Sequence, residues 1–205
     1  MPKHHIKSLE NNNVLFEGEF KTFKNCVETA INQRINLANA NLRYNNLSNI
    51  NLDDAIMPGA DMRGSNLTGA NLSEGYFKGT NFTQCALYNT CFVGSNLTSC
   101  NFADASFGAT DIYDTIITNS QFSTQSCFGL NFQRTKNMQG CVFINIDGRI
   151  LAMSKAPIVI NGWKDSPVII LDNHIKHGAN IIDQKRLAPL MKKLTSRSIH
   201  QRLRA

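Results

Sequence analysis

The sequence predicts an all-β solenoid, a square tube wound from short extended pieces, and three observations predict it. From Leu37 onward every fifth residue is large and apolar. Two positions before each of these sits a second register, mostly of small residues. Between the two registers stands a polar residue, asparagine at ten positions (Asn36, Asn41, Asn46, Asn51, Asn66, Asn71, Asn81, Asn96, Asn101 and Asn131).

The large register runs Leu37, Leu42, Leu47, Leu52, Met57, Met62, Leu67, Leu72, Phe77, Phe82, Leu87, Phe92, Leu97, Phe102, Phe107, Ile112, Ile117 and Phe122, and Cys127 and Phe132 extend its phase. The small register includes Ala40, Ala55, Ala60, Ser65, Ala70, Gly75, Thr80, Cys85, Thr90, Ser95, Cys100, Ala105, Thr110, Thr115 and Ser120, with Ile35, Asn45 and Ile50 as early exceptions. A period of five matches neither the 3.6 of a helix nor the 2 of a strand, so no single regular element places all these residues inside. The chain must turn every five residues. Four sides then close a coil of about twenty residues, and coils stack through backbone hydrogen bonds at roughly 4.8 Å. Leu37 to Phe132 gives about five coils and roughly 24 Å of tube on that spacing. Residues twenty apart lie above one another, which collects phenylalanines in the later coils, where stacked rings pack well.

The units Ala40-Asn41-Leu42-Arg43-Tyr44, Ser65-Asn66-Leu67-Thr68-Gly69, Ala70-Asn71-Leu72-Ser73-Glu74 and Ser95-Asn96-Leu97-Thr98-Ser99 resemble the A(D/N)LXX units of the pentapeptide-repeat family. The resemblance covers residues from about 35 to 132 and implies a right-handed quadrilateral β-helix. It specifies the tube and not a function, because the motif encodes the fold itself.

A tube of repeats exposes an apolar lumen at both ends and needs caps. Phe23 to Arg34 reads as a short helix with Phe23, Cys26, Val27, Ala30 and Ile31 on one face, placed to plug the N-terminal opening. Val14 to Phe20 alternates as a strand would. After Phe132 the register drifts, and Val142 and Phe143 are the last residues expected to point inward. Two β-branched runs, 156–160 and 167–171, flank Asn161-Gly162 and read as a hairpin with Trp163 at its tip or against the tube. These runs are also similar to a C-terminal extension of some bacterial and phage pentapeptide-repeat proteins. A basic amphipathic helix follows Pro189, carrying Leu190, Met191, Leu194, Ile199 and Leu203 among Lys192, Lys193, Arg197, Arg202 and Arg204. The expected division is 1–34 for the N-terminal strand and capping helix, 35–145 for the β-helix, and 146–205 for the hairpin and terminal helix.

Charge is unevenly distributed. The net +6 resolves into −3 over residues 35–135, +8 over 136–205 and +1 over 1–34. No stretch approaches the roughly 20 apolar residues of a membrane span, and the start of the chain lacks an apolar run behind its basic residues, so the reading is a cytoplasmic protein. Six cysteines without short paired spacings read as free buried thiols.

No constellation supports catalysis. The pairs Asp53/Asp54 and Asp111/Asp114 have no partnered nucleophile or phosphate loop, and His174 and His177 around Asp172 read as a solvated loop and not as metal ligands. Five Asn-X-Ser/Thr matches are by-products of the repeat. Cys91, alone among the cysteines of the array, falls at an outward position. The expected function is therefore a non-enzymatic protein-binding scaffold without catalytic residues, metal or cofactor. The apolar stripe of the terminal helix suits docking on the tube first, a homodimer through the C-terminal region second and a membrane or nucleic acid last, with Trp163, Leu190, Met191, Lys192, Lys193, Leu194 and Arg197 as the interaction residues of that region. The family resemblance implies a second reading, a DNA-mimicking effector of the topoisomerase gyrase. Nucleic-acid binding through the basic tail ranks last, since aromatic stacking residues are scarce there.

Overall fold

The computed structural model describes residues 1–161 and 166–185. Trp163, Leu190, Met191, Lys192, Lys193, Leu194 and Arg197 lie outside the described residues, as do the expected terminal helix and its role in a dimer. The chain divides into two units, Met1–Ala156 and Pro157–Ala205.

The first unit opens on an antiparallel hairpin of β1 (Lys3–Lys7) and β2 (Val14–Glu19), with His5 opposite Glu17. The second strand was expected and the first was not. Of the five residues of β1, only Ile6 is buried, so its alternation is too short to register as a pattern. Glu17 is held below the usual carboxylate range by the Lys3 ammonium at 2.7 Å, and then by His5. Helix α1 (Phe23–Asn32) begins where Thr22 accepts a hydrogen bond from the Asn25 amide at 3.1 Å, the ordinary N-cap geometry. It buries Cys26, Val27 and Ala30. Two contacts tie α1 to the first turns of the array. Lys24 Nζ donates to the Ser48 carbonyl at 3.2 Å, and the Asn51 amide donates to Glu28 Oε1 at 3.1 Å.

From Asn41 the chain pairs with itself in parallel at a spacing of twenty residues: Asn41 with Asp61, Asn46 with Asn66, Asn51 with Asn71, Ile56 with Tyr76, and onward to Asn101 with Gln121. Most rungs are single bridges, because each side is too short for a longer ladder. One pair lengthens to strands, β3 (Ala86–Tyr88) beside β4 (Ser106–Gly108). Each rung carries two main-chain bonds, as where Leu42 N donates to Asp61 O at 2.8 Å and Asp61 N to Ala40 O at 2.9 Å. Every member of the large register is buried, with Phe107 the most exposed at 7%. Residues twenty apart stack as expected: the Phe82 and Phe102 rings lie 5.1 Å apart and nearly parallel, and Phe102 and Phe122 5.3 Å apart.

Between sides, the chain turns through the left-handed region once every five residues, at Asn39, Tyr44, Asn49, Asp54, Gly59, Gly64, Gly69, Glu74, Gly79 and so on to Asn119. The small-register amide then closes the turn onto the preceding large residue, as Ala40 N does onto Leu37 O at 3.1 Å. An asparagine or aspartate just before a large residue has a local task. Its side chain accepts a hydrogen bond from the amide two residues on, as Asn81 does from Thr83 at 2.9 Å and Asn101 from Ala103 at 2.9 Å. This is an Asx turn, which favours asparagine and aspartate for a reason of chain geometry.

The regular pattern changes after Phe122. Cys127 and Phe132 keep the phase and are buried, but they sit on 3₁₀ turns (Gln125–Cys127 and Phe132–Arg134) instead of bridged sides. The next coil holds one extra residue, so that Ile116 pairs with Asn137 and Gln121 with Val142. This is the physical form of the expected register drift. Met138, Cys141 and Phe143 are buried there. Strand β5 (Gln121–Phe122) pairs in parallel with β6 (Val142–Ile144), which pairs antiparallel with β7 (Ile150–Ala152).

In the second unit, the expected hairpin is part of a larger sheet. Strands β8 (Ile158–Ile160), β9 (Val168–Ile170), β10 (His174–His177) and β11 (Asn180–Asp183) form a four-stranded antiparallel meander. Ile160 faces Val168, so residues 161–167 connect β8 and β9. His174 and His177 are corrected from a solvated loop to a half-buried strand. Polar histidines and a lysine alternating with a single isoleucine hid that strand from a hydrophobic-pattern reading.

Candidate interaction faces

The twenty-residue register sorts outward side chains into columns. In one of them the parallel bridges run Asn51, Asn71, Cys91, Asp111, and the turn residues beside it run Asp54, Glu74, Gly94 and Asp114, each amide hydrogen-bonded to the next coil at 2.9 to 3.0 Å, the last to the carbonyl of Arg134. With Asp53 and Tyr113 on the same side, this face collects five of the seven acids of residues 35–135. Asp54, Glu74, Tyr113 and Asp114 are exposed. At the far end Arg134 meets Asp111 at 3.2 Å and lies 5.5 Å over the Tyr113 ring, and Lys136 reaches Asp114 at 3.9 Å. At the near end, Asp53 and Asp54 line a cleft of about 470 Å³ with Ile31, Arg34, Ile35 and Ile56.

The opposite face, two sides away in the coil, is built differently. Asp61 is 4% exposed and accepts from Arg43 Nε at 2.7 Å and Arg63 Nη2 at 3.2 Å, while its other oxygen takes the Arg63 amide at 2.9 Å. Its charge is internally matched. A third column, Ile56, Tyr76, Asn96 and Ile116, shows apolar side chains outward, with Ile56 49% and Tyr76 39% exposed.

Sequence reasoning read the small register as a matter of lumen space and missed its chemistry. Hydroxyl and thiol groups there reach down to the carbonyl of a large residue in the coil below: Ser65 to Leu42 at 2.7 Å, Thr80 to Met57 at 2.9 Å, Thr90 to Leu67 at 2.9 Å, Ser120 to Leu97 at 2.7 Å, and the thiols of Cys85 and Cys100 to Met62 and Phe77 at 2.9 and 3.1 Å. The constant 23-residue offset was the available signal. Burial pushes the Cys85 thiol up to about 12 and the Cys141 thiol up to about 11, and drives Cys100 in the same direction. Cys91 is half-buried in the acidic column. Among the described residues, no group of histidine, cysteine or carboxylate side chains is arranged to hold a metal ion, and no helix is long and apolar enough to cross a membrane.

A chain that turns every five residues, closes every twenty and stacks in parallel defines a class, the repeat solenoids. Residues 35–73, 46–84 and 80–119 match the model of the family described as pentapeptide repeats, with eight copies, so this array is a pentapeptide-repeat array. Proteins of that family fold as right-handed quadrilateral β-helices. Solved structures similar to this chain include the pentapeptide repeat protein Rfr23 of the cyanobacterium Cyanothece 51142, 18% identical over 60% of this chain and 95% of that one, with a TM-score of 0.45. Another is alr5209, a pentapeptide repeat protein of Nostoc Pcc 7120, at 15% identity over 57% and 93%, with a TM-score of 0.38. QnrB1, a plasmid-mediated fluoroquinolone resistance protein, is similar at 14% identity over 54% and 65%, with a TM-score of 0.33. No curated protein sequence matches significantly.

Proposed function

We propose that this protein is a non-enzymatic scaffold whose pentapeptide-repeat tube, of about five coils and closed at its N-terminal end by α1, presents its acidic face to a basic protein partner. The observation that supports this reading is the gathering of Asp53, Asp54, Glu74, Asp111 and Asp114 on one face with exposed Tyr113. The buried registers and main-chain rungs hold the coils without calling on the exposed carboxylates of that face. Such a rigid surface loses little conformational entropy on binding.

Photo-reactive side chains placed at Tyr113 and, separately, at Tyr76 test it. Cross-links to one discrete protein from position 113 and not from 76, weakened by salt, are the expected result. Equal labelling from both positions would remove the acidic face from the account.

The same gathering favours a second reading, imitation of duplex DNA before a type II topoisomerase. Five carboxylates along a column of four rungs, roughly 19 Å, give about one charge per 4 Å, against one per roughly 1.7 Å for the duplex. The density is too thin to rank mimicry first. Absence of any effect on gyrase supercoiling would eliminate it. Self-association through the C-terminal region and salt-sensitive nucleic-acid binding by the basic tail are further readings, of which solution mass tests the first and binding across a salt series the second.

A further inference from the structure

The wall of the tube opens at one place. At a regular turn the amide of the left-handed residue donates to a carbonyl of the next coil, as Gln84 N does to Ala103 O at 3.0 Å. Asp104 comes next in that column, and its amide meets the Ser123 hydroxyl at 2.8 Å instead, while the Ser123 carbonyl accepts from Cys127 N at 3.2 Å. Thr124, due to hold the following left-handed turn, has φ −54° and leads into the 3₁₀ turn Gln125–Cys127. In the coil after it, Gln121 and Phe122 pair with Val142 and Phe143, and the chain then leaves the wall in the β6–β7 hairpin. The break leaves a cleft of about 420 Å³, lined by Asp104, Thr124, Ile144, Asn145 and Ile146 among others, on the side of the tube opposite the acidic face. Its volume lies within the roughly 300 to 1,000 Å³ of ordinary ligand sites.

Two of these residues are out of keeping with their positions. Asn145 opens a tight turn, closed where Gly148 N donates to the Asn145 carbonyl at 2.9 Å. Asn81 and Asn101, at their own turns, bind the amide two residues on. The Asn145 side chain does not. The residue is 2% exposed, and neither Nδ2 nor Oδ1 makes a hydrogen bond. The Asp147 carboxylate feels the Asn145 amide but is held by Arg149, whose Nε donates at 2.7 Å and whose backbone amide donates at 3.0 Å. Ile146, at the tip of the same turn, is 91% exposed, more than any other large apolar side chain among the described residues. A buried amide without partners and an isoleucine held in water both disfavour the free protein, and both line one cleft.

The donor and the acceptor of Asn145 stand side by side on one planar group. A carboxylate would satisfy only its N–H, and an ammonium only its oxygen. One residue of an extended peptide satisfies both, since its own N–H and C=O lie on the same edge, as in the hydrogen-bonded pairs of an antiparallel ladder. We propose that this cleft binds a short extended segment of a partner protein, one residue of which exchanges two main-chain hydrogen bonds with the Asn145 side chain. The amide reaches that residue by rotating about its Cα–Cβ bond, a change that breaks no hydrogen bond. An aliphatic side chain of the segment covers Ile146. Positions 104, 124 and 145 stand in successive coils about 4.8 Å apart, so exposed Asp104 lies about 10 Å from Asn145. That is about three residues of extended chain, and the Asp104 carboxylate selects a basic side chain there. The site shares no residue with the acidic face and does not depend on it.

The probe is the capped peptide acetyl-Val-Ala-Ala-Lys-N-methylamide, titrated into the ¹⁵N-labelled full chain and read by NMR. The amide signals of Thr124, Ile144 and Ile146 should shift together and saturate, with half-saturation below about 10 mM. An analogue with the valine N–H replaced by an ester oxygen, and one with glutamate in place of lysine, should each bind at least fivefold more weakly. Asn145→Leu removes the unpartnered amide at similar volume, so the melting temperature should hold or rise while affinity for the probe falls at least tenfold. No saturable shift at these three amides would overturn the proposal. Unchanged affinity of the Asn145→Leu variant, or equal affinity of the ester or glutamate analogue for the unaltered protein, would overturn it as well.

Discussion

Thr80 Oγ1 donates to the carbonyl of Met57, 23 residues earlier, at 2.9 Å, and both residues are fully buried. This bond fastens one coil to the next from inside the lumen. The same carbonyl closes a turn with Ala60 N at 3.3 Å, so removal of the hydroxyl leaves it with a partner. Thr80→Val, close in volume, therefore costs about 1 kcal/mol and not the larger sum for an orphaned buried group. Urea unfolding with an unchanged m-value reads it.

Asp61 is a buried carboxylate on the tube wall, with two guanidiniums on it. Asp61→Asn keeps the turn bond to the Arg63 amide and loses the charge pairing, a cost of about 1 kcal/mol because both arginines are partly solvated. Asp61→Ala also orphans that amide and costs about 2 to 3 kcal/mol. Thermal unfolding of the two variants side by side should give that order.

Two glycines separate backbone strain from packing. Gly79 has φ +74°, and a Cβ there would meet only the Gly59 backbone at an ordinary contact distance of 3.9 Å, so Gly79→Ala costs only the left-handed penalty, about 1 kcal/mol. Gly129 has the same φ, but its Cβ would press into the carbonyl of Phe107, which cannot swing aside. Gly129→Ala should cost clearly more, about 3 kcal/mol, and denaturant midpoints measure the difference.

The buried thiols make stability fall in alkali. Cys85 stays protonated in the folded chain up to about 12 and Cys100 is shifted the same way, whereas an unfolded thiol releases its proton near 9. Between those values the unfolded state binds fewer protons. Stability is complete below about pH 9 and drops by about 1.4 kcal/mol per pH unit for each thiol above it. The double variant Cys85→Ala, Cys100→Ala lowers stability at pH 7 through the cavities left, but it should lose that part of the slope between pH 9 and 11.

Much of the fold is legible because a tube with a single file of large residues repeats one requirement every five positions. Leu37 through Phe122 could not keep phase by chance, and all are buried. Helix α1 shows through its apolar face. What escapes the pattern has a physical reason in each case. Strand β1 buries one residue, β10 alternates His and Lys with Ile, and the Thr80 to Met57 bond joins positions 23 apart that no local rule connects. The acidic face was hidden by averaging, since a net charge of −3 spread over the array says nothing about columns.

The most direct test of the scaffold account is a variant with that face neutralised: Asp53→Ser, Asp54→Gly, Glu74→Gly, Asp111→Asn and Asp114→Gly. Glycine is the residue that positive φ favours at 54, 74 and 114, and asparagine at 111 preserves the Asx turn, so the melting temperature should hold or rise. The protein cross-linked from position 113 should disappear in this variant. Its undiminished capture by a folded, neutralised tube would contradict the central claim.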